Sequence, residues 1–180
     1  MTLHFRAIEL APDERAALDH RPEEELFEHA LAIRRDLADE NGVAESLWQL
    51  GLVQQVLRRD NEAGAPLFRE ALELVDGLPD VDPWLRSEVH RHVGFVHLLR
   101  EEYDEALRQL RVSLGLRESL AERGWTTGGL TALSMASLRA GEHEAAVDSA
   151  RRAIECARAE GLRERHVTAA VDALAAACDT

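Results

Sequence analysis

Two marks recur along this chain at nearly one period, and together they leave few architectures open. A small residue followed by leucine or isoleucine stands at Ala30-Leu31, Ala71-Leu72, Ser113-Leu114 and Ala153-Ile154, at intervals of 40 to 42 residues. An aliphatic residue followed by glycine or serine stands at Leu50-Gly51, Val93-Gly94 and Leu133-Ser134, at intervals of 43 and 40. Between the marks, apolar residues recur at three- and four-residue steps, the period of a helix. The clearest copy runs from Glu88 to Ala121, two amphipathic helices joined by a short turn around Glu101-Glu102-Tyr103-Asp104. A two-helix unit repeated at fixed spacing, with no strand signal between copies, predicts an all-α chain of antiparallel helix pairs stacked as an α-solenoid.

The punctuation fits that plan. Pro12-Asp13-Glu14 reads as a helix start and His20-Arg21-Pro22 as its end, within an N-terminal tail and short helix over residues 1–22. Glu23 to Asn41 is expected to be helical, with Asn41-Gly42 as its stop. Helices are then expected over Val43–Arg58 and Glu62–Val75, the latter carrying Pro66 in its first turns. Asp76 to Pro83 is the one true linker, in which Asp82 can cap the helix opened by Pro83-Trp84. The central pair stops at Arg123-Gly124. Trp125–Arg139, His143–Ala159 and a last helix over residues 162–178 complete the chain. At 180 residues this makes one domain, 1–180, with core repeats over 23–160 between the tail and a C-terminal capping helix.

Composition excludes several kinds of function. The chain contains no lysine, so its 21 basic residues are all arginine, and its net charge is −13. Such a surface repels phosphate backbones and anionic lipid, so neither nucleic acid nor membrane is an expected partner. Without lysine there is no phosphate-loop lysine and no Schiff-base chemistry. Cys156 and Cys178 lack metal or disulfide spacing and are read as reduced thiols filling small sites. No apolar run nears the roughly 20 residues of a membrane span. The start has no charged-then-apolar leader, so a cytoplasmic protein is expected.

The residues around Gly94 are His90, Val93, His97, Glu101, Tyr103, Ala106, Leu110 and Ser113. Those around Ser134 are Leu130, Leu133, Ser137, Gly141, His143, Ala146, Ala150 and Ala153. Around Gly51 stand Leu47, Leu50, Gln54 and Arg58. After a one-residue insertion this copy continues with Asn61, Gly64, Phe68 and Ala71. This order of large, small and turn positions resembles the tetratricopeptide repeat, over roughly Glu23 to Ala159. The period near 41 exceeds the usual ~34, and the closing proline is absent. Such longer helices are similar to those of kinesin light chain and of bacterial peptide-sensing regulators. The resemblance implies a right-handed superhelix of about nine helices, with the first helix of each pair lining a concave groove. Carried over residue by residue, the lining is Glu45, Trp48, Leu52 and Gln55, then Glu88, Arg91, Phe95 and Leu98, then Gly128, Thr131, Met135 and Leu138.

An apolar row of Trp48, Phe95 and Met135 flanked by charge suits an extended peptide or a helix of a partner protein. The same Trp48 and Phe95 also suit core positions between neighbouring helices. The reading is a non-enzymatic adaptor or regulatory scaffold with a protein or peptide partner and no cofactor. The alternative is a small-molecule-binding or catalytic protein using the groove as its pocket, with Glu88, Arg91, His92 or His97 as acid–base candidates. No metal site is expected. His90 and His97 lie about 10.5 Å apart along a helix, and Glu88 with His92 supplies only two ligands. His90 and His97 are instead expected to replace large buried residues and hydrogen-bond internally. The last helix is apolar over most of its circumference and is expected to be covered by a second copy, the N-terminal tail or a partner.

Overall fold

In the computed structural model the described residues are 21–120 and 125–162, together with Thr168, Val171, Asp172, Ala175 and Ala176. They form seven α-helices and no strand. The two further helices expected, near residues 12–20 and 162–178, fall wholly or mostly outside the described residues. The five described positions of the last one are helical and solvent-exposed. The chain separates at the expected linker into two compact units, residues 1–79 and 80–180.

The first unit contains α1 (Arg21–Asp36), α2 (Glu40–Leu52) and α3 (Asn61–Gly77). Consecutive helices pack on one another, α1 on α2 and α2 on α3. Acids in the first turn of α1 and arginines in its last turn complement the helix dipole. The chain does not stop at Asn41-Gly42 as expected. It reverses earlier, at Leu37–Asp39, and Gly42 lies in the first turn of α2. The reason is close approach. A Cβ on Gly42 would lie 2.2 Å from the Asp39 carboxylate and 2.8 Å from the Arg34 side chain. Asp39 caps α2 by accepting from the Gly42 N–H at 3.0 Å. Arg34 donates to the Gly42 carbonyl at 3.0 Å, Ser46 Oγ at 2.7 Å and Glu45 at 2.9 Å.

The second unit contains α4 (Pro83–Leu99), α5 (Tyr103–Leu120), α6 (Trp125–Arg139) and α7 (His143–Glu160). Asp82 caps α4 at the Trp84 N–H, 2.9 Å away, with Pro83 in the first turn, as the sequence predicts. Here too the packing is sequential, α4 on α5, α5 on α6 and α6 on α7. The core alternates large and small residues. Leu98, Leu107, Leu110, Leu114, Leu130 and Leu133 interdigitate with Ala106, Ala132, Ala136, Ala150 and Ala153, and Phe95 and Tyr103 pack against them.

One turn geometry recurs. Three residues separate α1 from α2, α4 from α5 and α6 from α7, and in each the middle residue is left-handed: Ala38 (φ 54), Glu101 (φ 61) and Gly141 (φ 78). The third turn residue donates its N–H five residues back, Asp39 to Arg34, Glu102 to His97 and Glu142 to Ser137, at 2.8–2.9 Å. The turn between α2 and α3 also has three residues, with Arg59 left-handed (φ 58), but Asp60 donates six residues back, to Gln54. The extra residue lies inside the helix, as a π-turn over Val53–Leu57 at the end of α2. This is where the structure accommodates the insertion visible in the sequence.

The marked small residues sit where paired helices cross. A Cβ on Gly51 would lie 2.5 Å from the Phe68 ring, and one on Gly94 would lie 2.8 Å from Leu110 Cγ. In the α6–α7 pair the corresponding residues are Ser134 and Ala150, both buried, and Ser134 Oγ donates to the Ala146 carbonyl at 2.9 Å.

Candidate functional site

The predicted lining residues of the first unit are held largely by their own unit. Trp48 and Leu52 are buried, at 7% and 5% exposure. Glu45 is half-buried and ion-paired with Arg34 at 2.9 Å. Gln55 donates to the Asn61 side chain at 3.0 Å, across the turn that follows the π segment. A shallow pocket elsewhere in this unit, lined by Arg35, Ala38, Glu40, Val43, Glu70, Glu73 and Leu74, includes none of the predicted residues. The Arg35–Glu70 ion pair at 2.6 Å lies along it.

In the second unit Leu98 is buried in the core, while Arg91, Phe95, Thr131, Met135 and Leu138 are half-buried on α4 and α6. The heptad-like spacing of Glu88, Arg91, His92 and Phe95 puts four chemically distinct side chains on adjoining stripes of α4. The Arg91 guanidinium lies over the Phe95 ring, 5.1 Å from its centroid, a cation–π contact. His92 meets the same ring edge-on at 5.8 Å. Its Nε2 is 3.8 Å from a Glu88 carboxylate oxygen. Thr131 is tied to its own helix, donating to the Thr127 carbonyl at 2.9 Å.

Glu88 has a second partner that sequence reasoning missed. Arg117 of α5, a buried arginine, donates through one terminal nitrogen to Glu88 and through the other to the Trp125 carbonyl at 3.1 Å. One side chain thereby joins α4, α5 and the start of α6. Gly129 packs closely at this point, where a Cβ would lie 3.0 Å from Leu114 Cδ1 and 3.3 Å from Arg117 Cδ. Trp84 and Trp125 close the same end with ring centroids 6.0 Å apart. Burial pushes Arg117 below its ordinary range. Glu88 opposes that shift and the positive charge of Arg91 adds to it.

Arg91 differs from Arg117 in having no carboxylate partner among the described residues. The Nε of each is shielded from solvent and has no hydrogen-bond partner among the described residues. No sequence signal marks Arg117 as the partner of Glu88, since the two stand 29 residues apart on different helices.

The histidines do not assemble a site. His90 is buried, and its Nδ1–H donates to Gln109 Oε1 at 2.6 Å. His97 donates to the Glu102 carboxylate across the α4–α5 turn. The expected hydrogen bonds are present in both, but only His90 is buried as expected; His97 is 24% exposed and its bond lies at the surface. Gln109 in turn donates to Glu105 at 2.8 Å, and Arg108 grips the same carboxylate through two nitrogens. That grip holds the Glu105 carboxyl down at about 2, against the opposing effect of burial. No group of three side chains suited to a metal ion occurs among the described residues.

No protein-family model matches the chain, and no curated protein matches it either. Among the described residues no helix is long and apolar enough to cross a membrane.

Proposed function

We propose that the protein is a protein–protein interaction module, an adaptor or regulatory scaffold, and that its working surface is the α4–α6 face of the second unit. The observation that carries this reading is the state of Arg91 and Phe95. A charged group and an aromatic ring are stacked and half-buried, with no protein partner to complete the arginine's hydrogen bonding. Aromatic and arginine side chains in such settings are the commonest anchors of protein interfaces. Thr131, Met135 and Leu138 on α6 add a mixed, half-exposed surface of the kind that receives a peptide or an amphipathic helix.

Recurrent turns and small-residue crossings support classing the chain with tetratricopeptide-like arrays, whose first helices line a groove. Trp48 and Leu52 are buried, so the proposal rests on α4 and α6 alone. It places the protein in the cytoplasm with a protein or peptide ligand.

The test is a selection of displayed random linear peptides on the folded protein, followed by NMR titration of a selected peptide. Saturable binding that moves the signals of Phe95 and Met135 is the expected result. Failure to enrich any peptide, or shifts confined to other surfaces, would remove this face from consideration.

A further inference from the structure

Arg91 and Glu88 stand three residues apart on α4, the spacing at which opposite charges on a helix ordinarily pair. They are not paired here. Glu88 is the one carboxylate on α4, and it is turned to the Arg117 guanidinium of α5. That guanidinium is itself fixed by the Trp125 carbonyl, and its side chain is only 5% exposed. Arg91 is left with the Phe95 ring, which stabilises a cation without satisfying its N–H donors. A guanidinium presents planar, paired donors that match a carboxylate, and none of the described carboxylates pairs with Arg91.

Resting on the binding reading above, we infer that Arg91 is the specificity-determining residue of the α4–α6 face and receives an aspartate or glutamate side chain of the bound peptide. Arg117 is its positioning residue, holding back the carboxylate that would otherwise neutralise Arg91. The overall charge of −13 bounds the ligand further. A polyacidic segment is repelled over a Debye length of about 8–10 Å. The segment that fits carries a single acid among neutral and apolar residues, with the apolar ones on Phe95 and Met135.

The experiment uses the full chain and random peptides displayed with both ends blocked, so that every carboxylate is a side chain. One selected peptide is then made with its acid and with the matching amide, and both affinities are measured. The acid form binds wild type about tenfold more tightly. In Arg91→Gln that ratio falls to near one, while in Arg139→Gln, which removes the same charge from elsewhere on the unit, it persists. Arg117→Gln lowers the ratio by releasing Glu88 onto Arg91, and adding Glu88→Gln restores it, a rescue that a merely structural role for Arg117 would not give. Should Arg117→Gln fail to fold, the Arg91→Gln and Arg139→Gln comparison decides alone. Selected peptides without an acid, or a ratio that survives Arg91→Gln or falls equally in Arg139→Gln, would overturn the inference while leaving peptide binding intact. Retention of no peptide at all would overturn both.

Discussion

The α2–α3 pair of the first unit and the α4–α5 pair of the second reverse the chain with the same three-residue, left-handed turn, yet differ in length by one residue. The turn does not absorb the difference. In α2 the surplus becomes a π-turn at Val53–Leu57, so that Gly51 still meets Phe68 much as Gly94 meets Leu110. A conserved geometry at the turn and the crossing forces the irregularity into the helix between them, where one wide turn is cheaper than a misplaced crossing. The largest expected effect follows directly. Deleting Gln55 lets the π-turn relax to α-helix and forfeits the side-chain hydrogen bond to Asn61, about 1 kcal/mol. Deleting Val96 from α4, which has no surplus, rotates the following residues by about 100°. Leu98 then leaves the core and His97 leaves the turn, costing about 3 kcal/mol or more. Urea unfolding of the two deletions, followed by circular dichroism, separates them, and equal losses would mean that the π-turn is not an absorbed insertion.

The crossings differ in volume as well. Gly51 faces a phenylalanine, Gly94 a leucine, and the α6–α7 pair uses Ser134 and Ala150. Small and large residues therefore trade across the contact. Adding a methyl group as Gly94→Ala should destabilise by about 2 kcal/mol, because its Cβ meets Leu110 Cγ at 2.8 Å. Combined with Leu110→Ala, the methyl group occupies vacated space, so the two losses should fall short of their sum by about 1 kcal/mol. Strict additivity in that cycle would show that the contact is not shared.

A third difference lies in polarity. Where the first pair has Leu47 and Leu67, the second has His90 and Gln109, hydrogen-bonded at 2.6 Å. Replacing one partner strands the other in a buried place, so His90→Leu or Gln109→Leu alone should cost about 1–2 kcal/mol. The double variant copies the first pair's solution and should recover most of that loss. A double variant as unstable as the worse single one would mean that the two sites differ in shape and not only in polarity.

These contrasts also show what the sequence made legible. Small residues at a period near 41, large residues facing them and the surplus residue of the copy around Gly51 were all readable, because crossing and turn geometry act through residue size at fixed spacing. The position of the π-turn was not, since a surplus residue can lie anywhere between Gly51 and Asn61 without changing the pattern. Gly42 was misread as a stop because glycine serves left-handed turns and close approaches equally, and only the contact with Arg34 and Asp39 tells them apart. At the candidate site, Arg91 and Phe95 followed from the resemblance to the repeat family, three residues before and one after Gly94. Their state did not, because it depends on Arg117 reaching Glu88 from another helix.

The smallest expected effect concerns a carboxylate that only the second pair carries. Glu105 of α5 stands where α3 has Ala63. Its folded value of about 2 lies below the ordinary 4.5, chiefly through the hydrogen bonds from Arg108. A carboxyl held low favours the folded state above the ordinary value and loses that contribution as pH falls from 4.5 toward 2. Glu105 is partly exposed, 35% for its side chain, so the gain is that of a screened surface pair, under about 1 kcal/mol. Glu105→Gln should therefore be slightly less stable than wild type at neutral pH and converge with it below pH 4, as read from urea midpoints across that range. If the gap between the two stays constant down to pH 3, the stabilisation is not carried by the charge on Glu105.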